Sequence, residues 1–272
     1  MPATSSPSDL LPEALRPQHD RIRTIAHRGD SSSAPENTIE AFEAAIAAGS
    51  DLIEIDLRCT ADGDAAVIHD ASALRTTGID APVAALDAAT LAAADAGSWF
   101  GPEFSGARVP MFGAVAEWAA GHPGVGWLVE LKGRWSAAQL AGPVDAIRRH
   151  GLAERTILQG FEPETVAAAR EAAPDLPRSL LVYRREHPDV LLERLRGLGA
   201  AGCNPIGRLP GQARGLAVRL RDAGYSVFPW TLDEPDEWGA AGGAGVDGVI
   251  TNRPGPFRSW HASRWNAEAL VP

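Results

Sequence analysis

The sequence predicts an α/β fold: a (β/α)8 barrel with a small insertion after its second strand. Three observations carry this. Eight short strand-like segments recur along the chain, each leading into a stretch with helical spacing. The length, 272 residues, suits one such barrel. No G-x-G-x-x-G follows the first strand-like segment, which speaks against the rival doubly wound nucleotide-binding sheet.

Residues 1–22 open with "MPATSSPSDLLPEALRPQHD", which is polar and rich in Pro and Ser. They are expected to form a flexible tail, or else a strap across the barrel bottom. The segment lacks a basic stretch followed by an apolar one, so it does not read as a signal peptide. Residues 23–272 are expected to form a single domain. "RTIAHR" is the first strand. Asn37, with Glu40 three residues on, has the spacing of a helix N-cap for "TIEAFEAAIAAG". "DLIEIDLR" follows, and "CTADGDAAVIHD" folds back on it as a hairpin through the Asp62-Gly63 turn. Residues 71–115 form a longer excursion, expected to be a lid or small helical insert at the barrel mouth. The remaining strands are "VGWLVELKG", "RTILQGF", "SLLVYR", "AAGCNPI", "YSVFPWT" and "VDGVITN". Between them lie helical stretches such as "PETVAAAREAA", "VLLERLRGLG" and "GQARGLAVRLRDAG". Glycines after "AAIAA" and "RLRDA" suit helix C-termini.

The net charge is −10 and Lys132 is the only lysine. Such a chain repels nucleic acid and anionic membranes at long range. An anionic small substrate would need a local positive site, which a bound metal could supply. No apolar run approaches the roughly 20 residues of a membrane span, and no stable membrane anchor is evident. The reading is a cytoplasmic protein. Cys59 and Cys203 lie in apolar strand-like contexts and are expected to be reduced and buried rather than bridged.

Active sites of such barrels lie at the C-terminal ends of the strands. The polar residues there are His27 and Arg28, Glu54 and Asp56, Glu130 and Lys132, then Thr231 and Asp233. Period-two alternation places Glu54 and Asp56 on one face, and Glu130 and Lys132 likewise. Alone, E-x-D on a strand reads as a solvated face. Here Ile53, Ile55 and Leu57 must face the helices, so the carboxylates point inward. Three buried carboxylates need a cation, and oxygen ligands favour one divalent Mg²⁺ or Ca²⁺. His27 ends a strand, and His69 beside Asp70 ends the hairpin. Trp230 reads equally as core filling or a substrate wall.

"HRG" with "PENT", then "IEIDLRCTADGDAAVIHD", resembles the glycerophosphodiester phosphodiesterases. "ALRTTG", "GSWFGPEFSGARVP", "VELKG", "ILQGF", "WTLD" and "GVDGVITNRP" extend the resemblance over about residues 23 to 257. It implies the barrel fold with its insertion. It also implies hydrolysis of a small glycerophosphodiester to sn-glycerol 3-phosphate and an alcohol. By the same resemblance, His27 and His69 form an acid/base pair. Arg28 and Lys132 meet the phosphoryl group, and Trp230 lines the glycerol side. Glu54, Asp56 and Glu130 bind the metal. The chain departs from the family's usual Asp at Asn252, its usual Ser at Gly160 and its usual aliphatic residue at Cys59, which bears on the pocket floor. The alternatives are a related phosphodiesterase acting on whole phospholipids, of the sphingomyelinase-D or phospholipase-D type, and a non-catalytic binding barrel.

Overall fold

The computed structural model describes residues 6–16, 21–184, 186–207 and 210–268. Among the described residues nine strands form one sheet: β1 (Arg23–His27), β2 (Leu52–Cys59), β3 (Ala65–Val67), β4 (Gly126–Leu131), β5 (Thr156–Gly160), β6 (Arg178–Val182), β7 (Gly202–Pro205), β8 (Ser226–Val227) and β9 (Gly248–Thr251). Their order is β8-β7-β6-β5-β4-β2-β1-β9, all parallel, with β3 antiparallel on β2. Hydrogen bonds from Ile250 N to Pro229 O and from Leu232 N to Ile250 O, both 3.0 Å, bring the two ends together. The result is a nearly closed barrel of eight parallel strands.

The helices that follow these strands are α1 (Ile39–Ala47), α4 (Phe112–Ala120), α5 (Ala141–Arg149), α6 (Pro163–Ala172), α7 (Pro188–Leu198), α8 (Pro210–Asp222), α9 (Pro235–Gly243) and α10 (Pro254–Glu268). Alternation along each strand divides the core in two. Ile53, Ile55 and Leu57 pack outward with Phe42 of α1 and Phe112 of α4, while Leu52 packs inward with Ile25, Leu128, Ile157 and Phe228. The inward parity that begins with Leu52 therefore continues through Glu54 and Asp56, and that of Leu128 through Glu130 and Lys132.

Between β3 and α4 lies the insertion. It holds two short helices, α2 (Leu74–Thr77) and α3 (Ala88–Ala93), and a small core of Ala66, Ile68, Ala73, Val83, Leu91 and Val109. The excursion expected over 71–115 thus ends at residue 111, because Phe112 starts the barrel helix α4. The β2–β3 hairpin turns through Asp62 and Gly63, with Gly63 at φ +86°. Within the segment expected to be a tail or a strap, residues 7–10 and 13–15 form two 3₁₀ turns. Leu11 and Leu15 plug the barrel bottom, 1% and 3% exposed, against Ile25, Leu52 and Phe228. Arg23 Nη1 donates to Ala14 O at 3.1 Å and ties this strap down. Residues 1–5 and 17–20 of that segment lie outside the described residues.

Two further sequence expectations need correction. Thr38, not Asn37, caps α1: its hydroxyl accepts from Ala41 N. Asn37 has φ +58° and turns its amide to the barrel interior instead. The cysteines are both free, as expected, but only Cys203 is buried; Cys59 is partly exposed.

Candidate active site

The site is built from the top of β1, β2 and β4. After His27 the chain makes two left-handed residues, Arg28 at φ +59° and Gly29 at φ +82°. A Cβ at position 29 would lie 2.6 Å from Ala41, so only glycine lets the loop lie against α1. This turn returns the Arg28 side chain over the mouth. Its backbone N–H donates to Glu54 Oε2 at 3.1 Å, its Nη1 to Glu36 Oε1 at 2.9 Å, and its Nε lies 3.3 Å from Asp56 Oδ2.

Asp56 is fully buried, with Asn37 Nδ2 donating to its Oδ2 at 2.8 Å. Lys132 Nζ stands 3.6 Å from Asp56 Oδ1 and 2.7 Å from Glu130 Oε1. Burial alone would raise the Asp56 carboxyl, but Arg28 and Lys132 outweigh it and hold it down at about 2. Glu54 and Glu130 go the other way. Burial, then the charge of Asp56, pushes Glu54 well above the ordinary carboxylate range and Glu130 up to about 7.

Ligand oxygens of Glu54, Asp56 and Glu130 lie within 4.8 Å of one another. Among the described residues Glu54 Oε1 is buried with no hydrogen-bond partner, Asp56 Oδ1 is buried 3.6 Å from the Lys132 ammonium without a hydrogen bond, and the same ammonium holds Glu130 Oε1 at 2.7 Å. Buried acceptors left in this way, with two of the three carboxyls resisting ionisation, are the chemistry a metal ion would satisfy. The three residues fit such an ion.

The histidines flank this cluster. His27 Nδ1 lies 2.7 Å from Asn252 Oδ1. The Asn252 orientation is set by Asp233, which accepts from Asn252 Nδ2 at 2.7 Å and from the Asn252 backbone N–H at 2.8 Å. An amide oxygen facing the ring requires the proton on Nδ1, which leaves Nε2 as the nitrogen with a lone pair. Burial first, then Arg28, pushes the His27 imidazole down to about 4, so the neutral ring prevails near pH 7. His69 Nδ1 pairs with Asp70 Oδ1 at 2.6 Å, and Arg58 Nε donates to the His69 carbonyl at 2.7 Å. Burial also lowers His69, aided by Arg28 and Lys132 and opposed by Asp56 and Asp70. Arg75 of the insertion donates to Asp70 Oδ2 at 2.6 Å and to both Glu36 oxygens at 2.7 and 2.8 Å.

A cavity of about 110 Å³ opens here, lined by His27, Arg28, Glu54, His69, Glu130, Lys132, Trp230 and Thr231; Asp56 lies fully buried behind them, and Asp233 is not in the lining. On the far side it is walled by Phe161, Leu181 and Trp230. Trp230 Nε1 donates to Asn204 O at 2.8 Å, and its ring meets Phe161 edge-on at 5.3 Å. Sequence reasoning missed Asn37, Glu36, Arg58 and Arg75 as site residues. The first two sit in "PENT" and the last in "ALRTTG", so the signal lay in those motifs.

Two departures from the usual family pattern also find their place. Gly160 faces outward: a Cβ there would meet Thr165 and Val166 of α6 at 3.7 and 3.9 Å, so the pocket floor is unaffected. Asn252 presents an amide oxygen to His27 in the place of a carboxylate, with the negative charge one step back on Asp233.

The glycerophosphoryl diester phosphodiesterase family profile matches residues 27–256. A glycerophosphodiester phosphodiesterase of Caldanaerobacter subterraneus is 33% identical, over 85% of this chain and 93% of its own. One from Bacillus subtilis is 30% identical over 88% and 86%. Among solved structures, a phosphodiesterase of Oleispira antarctica in complex with the product sn-glycerol-3-phosphate superposes with a TM-score of 0.80 at 26% identity, covering 94% of this chain and 99% of that one. The match spans the barrel and its insertion alike, and with it the chain belongs to the glycerophosphoryl diester phosphodiesterase family.

Proposed function

We propose that this chain hydrolyses glycerophosphodiesters to sn-glycerol 3-phosphate and a free alcohol, with a divalent cation and the histidine pair. One observation carries the reading: two buried carboxylates, Glu54 and Glu130, and two cations line a cavity with two histidines held in different ways, and a third carboxylate, Asp56, completes the acidic cluster directly behind them. Glu54, Asp56 and Glu130 would hold the ion, and their oxygen-only donor set favours Mg²⁺ or Ca²⁺. When bound, the ion supplies Lewis-acid polarisation of the phosphoryl group. Arg28 and Lys132 add fixed positive charge where negative charge develops.

The two histidines divide the proton work. His27, neutral and with Nε2 unprotonated, is suited to accept the proton of the attacking hydroxyl, whether water or the glycerol 2-hydroxyl. His69 would act as the acid: the Asp70 carboxylate on Nδ1 favours its imidazolium against the burial that lowers it, and the Nε2 proton would go to the leaving alkoxide. An alkoxide is a poor leaving group at neutral pH, so this second transfer matters. Trp230 and Phe161 offer an apolar wall to the carbon skeleton.

The rival substrate class is the intact lipid. Among the described residues no helix is long and apolar enough to cross a membrane. Turnover of glycerophosphocholine should exceed that of lysophosphatidylcholine vesicles under equal conditions. The reverse order would move the reading to a lipid-directed phosphodiesterase, and turnover of neither would favour a binding barrel.

A further inference from the structure

Away from the histidines and the charged groups, the cavity is lined by Phe161, Leu181, Trp230 and Ile250, with Thr231 and Gln159 as the polar side chains among them. Gln159 of β5 lies one pleat below Phe161, and Asn204 of β7 stands beside it. Gln159 is 1% exposed and Asn204 0%. Their amides are oriented by an unambiguous donor. The backbone N–H of Phe228 donates to Asn204 Oδ1 at 3.2 Å, so Asn204 must turn its Nδ2 elsewhere. It donates to Gln159 Oε1 at 2.8 Å. Gln159 therefore cannot flip without setting two N–H groups against each other. Its Nε2 is buried and has no hydrogen-bond partner among the described residues, and Gln159 lines the cavity. A buried amide donor left open is rare unless something in its working state accepts from it.

Resting on the phosphodiesterase reading, we infer that Gln159 is a specificity residue: its Nε2 donates to a hydroxyl of the substrate's glycerol unit. The surroundings match a small polyol. Phe161, Leu181 and Trp230 suit its C–H faces, and one fixed donor suits one hydroxyl oxygen. Asn204 is a positioning residue that acts through Gln159. Because the donor is desolvated before any ligand arrives, an analogue without the hydroxyl leaves it unpaired and is rejected.

The test compares two phosphates by calorimetry on the metal-loaded protein: sn-glycerol 3-phosphate and n-propyl phosphate, which has the same carbon skeleton but no free hydroxyl. The parent should bind the first about two- to tenfold more tightly. Gln159→Met should lower that ratio while leaving the n-propyl phosphate Kd within twofold, which also reports that the site is intact. Asn204→Ala, which frees the Gln159 amide to rotate, gives a second variant and should lower the ratio too. A parent that turns over glycerophosphocholine yet shows no preference overturns the assignment alone. So does a Met variant that keeps the preference, or one that loses only metal affinity. A parent without turnover overturns the phosphodiesterase reading together with it.

Discussion

Asp56 shows how single side chains hold this site together. It is fully buried, yet stays ionised because Arg28, Lys132 and Asn37 surround it. Removing any one of them would leave a buried charge short of partners, a change that destabilises strongly. The histidines depend on their neighbours in the same way. His27→Ala and His69→Ala should each lower turnover of glycerophosphocholine by about 10²- to 10⁴-fold, with metal binding and melting temperature preserved. On a p-nitrophenyl phosphodiester, whose leaving group needs little protonation, His69→Ala should recover most of its activity and His27→Ala should not. Equal losses on both substrates would contradict the division of roles between them.

At the scale of elements, the insertion and the first β/α loop are joined by one side chain. Arg75 grips Glu36, which holds Arg28, and Asp70, which holds His69. Arg75→Gln should therefore lower kcat about 10- to 100-fold without changing the barrel, the scale seen for groups that support a site indirectly. Parent-level kcat in that variant would show the insertion to be mere packing. This coupling was not legible in the sequence, since residues 36, 70 and 75 show no periodicity that ties them. What was legible followed from alternation: Ile53, Ile55 and Leu57 facing the helices turn Glu54 and Asp56 inward, and the same period puts Glu130 and Lys132 on one face. Asn37 went astray because capping spacing is a local rule, and a buried carboxylate 19 residues away outcompeted it. The Gln159–Asn204 pair joins strands 45 residues apart, a distance no short-range pattern reaches.

For the whole molecule, stability and function pull on opposite ends of the barrel. The bottom is closed by Leu11 and Leu15, and the top is loaded with like charges. Leu11→Ala should cost about 2–5 kcal/mol in urea unfolding, with kcat unchanged; a loss below about 0.5 kcal/mol would mean that the strap adds nothing. The top behaves oppositely with pH. Glu54 and Glu130 bind protons more tightly in the folded chain than unfolded. The metal-free protein should therefore lose stability as pH rises from the ordinary carboxylate range, near 4.5, through about 7. Added Mg²⁺ or Ca²⁺ should raise the melting temperature little at pH 5 and progressively more toward pH 8. A metal-induced shift that is flat with pH would place the ion elsewhere.

The central claim is that one metal-dependent centre cleaves a glycerophosphodiester at the top of this barrel. Phosphorus NMR of glycerophosphocholine mixed with the protein tests it most directly, run with saturating Mg²⁺ or Ca²⁺ and again after metal removal in excess chelator. The account predicts that the diester signal gives way to that of sn-glycerol 3-phosphate only with metal present, and that restoring the ion restores the reaction. An unchanged diester signal in the presence of metal, or undiminished conversion in the chelator, would contradict it.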